Sequence, residues 1–147
     1  MTALEAALGH RFADLDLLER ALTHASYVNE HPPCIPQDGL AFVGDAALGL
    51  VVAECLLARA PGAAVGTLTP ARAALVSGAS LARWAAALDL GALVRLGRGE
   101  EQTGGRARES ILATTLEAVL GAVYLEAGVN GVRRAVDRLA GDLRVLG

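Results

Sequence analysis

The chain has 147 residues, enough for one domain of ordinary size and little more. It is 53% hydrophobic, 20% charged and only 3% aromatic, which excludes a disordered chain and leaves Leu, Val and Ala to fill the core. Its 13 basic residues, all Arg, stand against 16 acidic ones; the net charge of −3 excludes a generally basic nucleic-acid-coating protein but leaves room for a local basic patch.

Taken in chain order, Met1 to Glu5 lacks the basic start and long apolar run of a signal peptide. Ala3 to Leu8 reads as a short amphipathic helix or turn. Asp14 or Asp16 caps a second helix through about His24, with Leu15, Leu18 and Leu22 as its buried stripe. Asn29 to Pro36 carries three prolines and is expected to be a rigid loop. A long apolar helix follows from Gly39 or Leu40 to Ala60, stopped by Pro61-Gly62. Its Gly44, Ala46, Ala47 and Gly49 predict close contact with another helix, because bulkier side chains would hold that neighbour away. Helices are then expected from Thr69 to Val76, with Pro70 in the first turn, and from Ser80 to Leu88. Leu93 to Gly105 reads as a Gly-rich loop of mixed charge. A second central helix spans Arg108 to Ala127 and ends at Gly128. A last amphipathic helix covers Val132 to Leu146, with Arg133, Arg134, Arg138 and Arg144 on its wet side. The expected fold class is all-α, in one domain.

The longest uninterrupted apolar run, Ala46 to Ala53, falls short of the ~18 residues a membrane helix needs, so a soluble protein with no membrane partner is expected. Cys34 and Cys55 form no ligand cluster and read as free thiols of a cytoplasmic protein.

Asp38, Ala41 and Asp45 share one face of the first central helix, and Thr114 and Glu117 one face of the second. Carboxylates on apolar helices are costly unless paired, protonated or bound to a cation. Either the two helices cross and bring Asp45 and Glu117 to a hard cation such as Mg²⁺, or each acid caps, hydrogen-bonds backbone or reaches water.

Four collinear segments carry a resemblance: A-L-T-H-A-S-Y (Ala21 to Tyr27), L-A-F-V-G-D-A-A-L-G-L-V-V-A-E (Leu40 to Glu54), G-T-L-T-P-A-R-A-A-L-V-S (Gly66 to Ser77), and the long stretch from Leu96 to Gly128 that contains L-G-R-G-E-E-Q-T-G-G and I-L-A-T-T-L-E-A-V-L-G-A. Together they resemble the nuclease domain of bacterial ribonuclease III. The resemblance implies an all-helical homodimer over residues 1–147, without the family's double-stranded-RNA-binding domain. It also implies a cluster of carboxylates that holds Mg²⁺ and cuts double-stranded RNA to leave 3′ overhangs.

The match departs from the family at its acids. The signature N-E-R-L-E-F-L-G-D is here Gln37-Asp38-Gly39-Leu40-Ala41-Phe42-Val43-Gly44-Asp45, so the outer acids remain as Asp38 and Asp45 while the middle one has become Ala41. In the second helix Glu117 remains and the family's aspartate is Thr114. A further acid expected before Gly66 is Val65. Two of the family's four inner carboxylates are therefore absent, and hard cations need charged oxygens in near-octahedral geometry. The expectation is a pseudoenzyme that recognises duplex or structured RNA in RNA processing or at the ribosome, with Mg²⁺ held weakly or not at all. The alternative is a slow Mg²⁺-dependent endoribonuclease working through Asp45, Glu117 and Asp38; a third reading is a heterodimer with an intact relative.

By the resemblance Phe42 packs into a partner subunit, while from its own surroundings it reads equally as a core residue. Arg95, Arg98, Arg106 and Arg108 gather on the edge that the resemblance turns toward RNA, and their forked guanidinium groups suit phosphate. Glu100, Glu101 and Glu109 among them make a surface ion-pair network the competing reading. His24 reads as a capping or packing residue, His10 and His31 as exposed. At −3 per chain, RNA affinity is expected to be modest and strongly salt-dependent.

Overall fold

The structure is a computed structural model and describes residues 1–143, with side chains described through Gly141. Arg144 and Leu146, expected at the end of the last helix, lie outside the described residues. Helix α1 (Ala3–Leu8) opens with a capping box in which Thr2 and Glu5 exchange hydrogen bonds of 3.2 and 3.0 Å, and it closes at Gly9 in the left-handed region. Next come α2 (Leu15–Ala21), α3 (Ala25–Glu30), the long α4 (Asp38–Arg59), α5 (Val65–Leu75) and α6 (Gly78–Ala87). Two short helices, α7 (Leu90–Leu93) and α8 (Arg98–Gln102), and a 3₁₀ turn (Gly105–Ala107) lead into α9 (Glu109–Leu143). Among the described residues no strand forms; Thr23 and Arg95 make one isolated parallel bridge.

Helices α4 and α9 form the centre, as their apolar composition predicts. Leu40, Leu48, Val51 and Val52 of α4 pack on Leu116, Val119, Leu120 and Val123 of α9, with Trp84 of α6 completing the core. At the crossing the backbones touch. A Cβ on Gly44 would overlap the Glu117 carbonyl oxygen, and one on Gly121 would overlap that of Leu40. Helix α9 is two arms joined at Gly128, whose φ of 67° and ψ of −164° break the helical path where the sequence predicts a stop. Both α4 and the Glu109–Gly141 part of α9 are long and apolar enough by composition to cross a membrane, contrary to the expectation that none would be. Read as helices rather than as uninterrupted runs, they are the partners that bury one another here.

Several local expectations are corrected. Helix α2 ends at Ala21 rather than His24, because the chain turns to bond Arg95: the Arg95 N–H donates to the Leu22 carbonyl at 2.7 Å and the His24 N–H to the Arg95 carbonyl at 3.0 Å. Leu15 is 66% exposed, and Leu17, Leu18 and Leu22 are the leucines of this segment that pack on the core. Asn29 and Glu30 belong to α3, whose N-terminus His24 caps by accepting the Ser26 N–H, so the proline-rich loop begins at His31. Helix α5 starts at Val65, placing Pro70 in its interior. The proline deprives the Gly66 carbonyl of a donor, which is tolerable because Gly66 is exposed to water. The expected loop from Leu93 to Gly105 contains α8 because Ser26 and Glu30 accept the N–H groups of Gly97 and Arg98 at 2.8 and 2.7 Å.

His10 is the other correction. Its side chain is only 10% exposed, with Nε2 2.8 Å from Glu126 Oε1. Glu126 also accepts the N–H groups of Ala13 and Asp14, fastening the N-terminal segment to α9. Burial raises the Glu126 pKa, but the hydrogen bonds from Asp14, His10 and Ala13 outweigh it and hold the carboxyl below its ordinary value. Beyond the bend, Arg138 reaches the Ala6 carbonyl at 3.0 Å. His31 is exposed as expected, and Cys34 and Cys55 are unpaired.

Candidate functional site

The glycine crossing decides which side chains meet. With Gly44 seated on Glu117, the α4 face bearing Asp38, Ala41 and Asp45 lies beside the α9 face bearing Thr114 and Glu117. These five and Phe42 line one open groove of about 490 Å³. The groove thus gathers Asp38, Ala41, Asp45, Thr114 and Glu117 from helix spacings seventy residues apart in the chain.

Within it Asp38 and Asp45 are exposed, whereas Thr114 and Glu117 are half-buried. Burial, then a hydrogen bond to Asp45 and the charge of Asp45, push Glu117 up to about 8. These causes all favour the protonated form of Glu117. The two acids tolerate an apolar crossing in different ways: Asp45 reaches water, and half-buried Glu117 is favoured in its neutral form.

The donor set is too small for the pair of bridged ions that the resemblance implies. Ala41 supplies no oxygen and Thr114 a neutral hydroxyl, which leaves Asp45 and Glu117 as the inner carboxyls. Among the described residues no three His, Cys, Asp or Glu side chains stand close enough to hold one ion. Mg²⁺ requires hard, charged oxygens and gives up its water reluctantly, so these residues do not fit such a centre.

Val65 is not part of this groove. It is 73% exposed at the head of α5 and lines a separate groove of about 250 Å³ with Leu56, Leu57 and Leu68. The reason is the length of α4: Arg59 lies fourteen residues beyond Asp45, roughly 21 Å along the axis, and α5 starts from that far end.

Phe42 is 81% exposed, which overturns the core reading. It stands between the acidic groove and an apolar one of about 280 Å³ formed with Val43, Ala46, Ala47, Leu50 and Tyr124. Tyr124 was legible as a candidate, since it follows Glu117 by seven residues on the same α9 face.

The four arginines are differently employed. Arg95 pairs with Glu19 at 2.6 Å and donates to Thr23; Arg106 pairs with Glu101 at 3.0 Å and donates to the Gly91 and Val94 carbonyls; Arg108 pairs with Glu100 and donates to the Thr103 carbonyl. Arg106 and Arg108 make the pairs of the ion-pair reading, whereas Arg95 pairs outside it, with Glu19, and Glu109 takes part in no side-chain ion pair among the described residues. Arg98 makes no side-chain ion pair among the described residues, and its backbone N–H is held by Glu30.

One anchor escaped the sequence reasoning. Gln37 is fully buried just before α4; its Nε2 donates to the Ala21 carbonyl at 2.8 Å and to Thr115 Oγ1 at 3.3 Å, and its N–H donates to the Thr23 carbonyl. This cross-link sets the start of α4 against α9 beside Thr114. A second threonine beside Thr114 in an otherwise apolar stretch was its only sequence signal.

Residues 14–142 match the Ribonuclease-III-like family. The chain is 47% identical over 145 residues to ribonuclease 3 of Geobacter sulfurreducens, covering 94% of this chain and 58% of that protein. It spans little more than half the length of the curated relatives it matches. A crystal structure of the nuclease domain of ribonuclease III from Campylobacter jejuni is 38% identical, with a TM-score of 0.86 over 95% of this chain and 93% of that one. A second structure of that domain, described for flexibility in a region involved in dimer formation, gives 0.89 at 38% identity and covers 97% of both chains.

Proposed function

We infer a role from the premise that this chain belongs to the ribonuclease-III-like family. It binds double-stranded or structured RNA as a dimer and cuts it poorly or not at all.

The groove carries this reading, because the family places phosphodiester chemistry on that wall. A two-ion mechanism needs anionic oxygens to seat the cations that activate water and stabilise the leaving oxygen. Here Ala41 and Thr114 bring no charged oxygen to that wall, and Asp38 stands exposed at the rim. Asp45 and Glu117 line the groove as its remaining inner acids, with neutral Thr114 and Ala41 beside them. Loss of a residue that merely supports a metal ligand costs about 10- to 100-fold in affinity or activity, and loss of two ligands costs more.

Dimer formation is supported by Phe42 and the apolar groove beside it. A two-fold axis would place the same aromatic and the same groove on both copies, so each Phe42 meets a surface of its own kind. The naming of the Campylobacter jejuni relative supports the same reading. Arg98 is the arginine of the α8 edge best placed to meet phosphate, the others being engaged with Glu19, Glu101 and Glu100.

Labelled duplex RNA incubated with Mg²⁺ or Mn²⁺ tests the proposal. This chain is expected to bind without appreciable cutting, and the double reversal Ala41→Glu, Thr114→Asp to gain cleavage. Rapid metal-dependent cutting by the unaltered chain overturns it.

A further inference from the structure

Away from the groove, Tyr27 of α3 carries a planar group on each face. The His31 ring lies parallel to it, with centroids 4.0 Å apart and planes 12° from one another. The Arg95 guanidinium stands 4.7 Å from the Tyr27 centroid. A face already covered by a parallel ring at 4.0 Å has no room for a guanidinium, so Arg95 occupies the other.

Both ends of this column are fastened. Arg95 is held by Glu19 and Thr23. The His31 N–H donates to the Tyr27 and Val28 carbonyls, and its ring Nδ1 lies 3.2 Å from the Tyr27 carbonyl oxygen. Tyr27 is half-buried but His31 is exposed, so the column ends in solvent at the outer face of an imidazole held in one orientation. An exposed side chain normally loses rotamer freedom when it binds; here that loss is already incurred on folding, which favours a flat ligand.

We propose that His31 is a stacking platform for one unpaired base of the RNA. This rests on the RNA-binding reading above. The platform is one ring wide, which suits a single base, and stacking on an aromatic or His face is tolerant of base identity because every base has a π-face. Pro32, Pro33 and Ile35 are exposed beside it and supply an apolar rim. The position is right as well. Seven residues separate His31 from Asp38 at the rim of the acidic groove, so the two lie within about 25 Å of each other even with the loop fully extended. Arg98 is nearer still, its N–H held by Glu30, the residue before His31, so one RNA can set stem phosphates against Arg98 and a displaced base on His31.

The test uses a set of hairpin RNAs with one common stem, either fully paired or carrying a single 2-aminopurine bulge walked along it. At one bulge position this chain is expected to bind more tightly than to the paired stem and to quench the 2-aminopurine fluorescence. His31→Ala should lose the quenching and roughly tenfold in affinity for that bulged RNA, with paired-stem affinity unchanged. His31→Tyr should restore both, and circular dichroism of each variant should match the parent. Stem binding that is indifferent to the bulge and to residue 31 overturns the platform alone. Equal weakening of both RNAs by His31→Ala also overturns it. Failure of every RNA to bind the parent chain removes the RNA reading and the platform with it.

Discussion

Gly44 lies directly against the carbonyl of Glu117, so the backbone of one central helix forms part of the wall on which the acid of the other is mounted. Neither backbone can move away without separating Asp45 from Glu117. Gly44→Ala is therefore expected to cost more than the ~1–3 kcal/mol typical of overpacking, since the obstacle is main chain rather than a flexible side chain. Gly49→Ala, five residues on in the same helix with open space about it, should instead gain up to ~1 kcal/mol from helix propensity. Chemical denaturation of the two variants checks the contrast.

The raised pKa of the Glu117 carboxyl gives stability a pH dependence of definite sign. Glu117 is raised from 4.5 to about 8, so the folded chain holds a proton there that the unfolded chain has released. The contribution is complete below about pH 4.5 and is lost as pH rises to about 8. Allowing for solvent screening at this half-buried site, the loss should be on the order of 1–2 kcal/mol. Glu117→Gln, which imitates the protonated form, should flatten that slope. A slope unchanged by the substitution would show that the proton is held elsewhere.

Mg²⁺ should change little. A ligand that binds only the folded state stabilises it by RT ln(1 + [L]/Kd), so a weak site filled at millimolar concentration adds less than about 0.5 kcal/mol. Thermal melts with and without Mg²⁺ should nearly coincide for this chain and separate for Ala41→Glu, Thr114→Asp.

Phe42→Asp is expected to yield a monomer. It puts a charge where an exposed aromatic ring now borders the apolar groove of Leu50 and Tyr124, and burying an unpaired charge at an interface is strongly unfavourable. Sedimentation velocity over a range of concentrations measures this, with the monomer's helical spectrum unaltered. A parent chain that is itself monomeric at high concentration defeats the dimer proposal.

Glu126→Ala should destabilise by about 1–3 kcal/mol, because the N–H groups of Ala13 and Asp14 and the His10 ring lose their acceptor together. Since this carboxyl is held below its ordinary value, its contribution is present above about pH 4.5 and fades as pH falls. The parent and variant should therefore converge in acid.

Helical spacing made the inner groove legible. Ala41 and Asp45, and Thr114 and Glu117, sit one turn apart on apolar helices, and Gly44 announced that these helices would touch. The features that escaped depend on partners remote in the chain. Glu126 lies 116 residues from His10, and nothing near either one marks the pair. Helices α3 and α8 are too short to show periodicity and are held by each other, through Ser26 with Gly97 and Glu30 with Arg98. Val65 shows the converse limit: its place in a motif said nothing of distance, and the length of α4 carried it away from the groove.

The N-terminal segment grips α9 on both sides of Gly128, through Glu126 before the bend and Arg138 after it. It acts as a splint across a joint that has no side chain of its own to stiffen it. A chain lacking its first thirteen residues would keep every groove residue, and its distal arm would rest on the core through Val132, Val136 and the Arg133–Glu54 pair, so the angle of the bend would be set by packing from one side only.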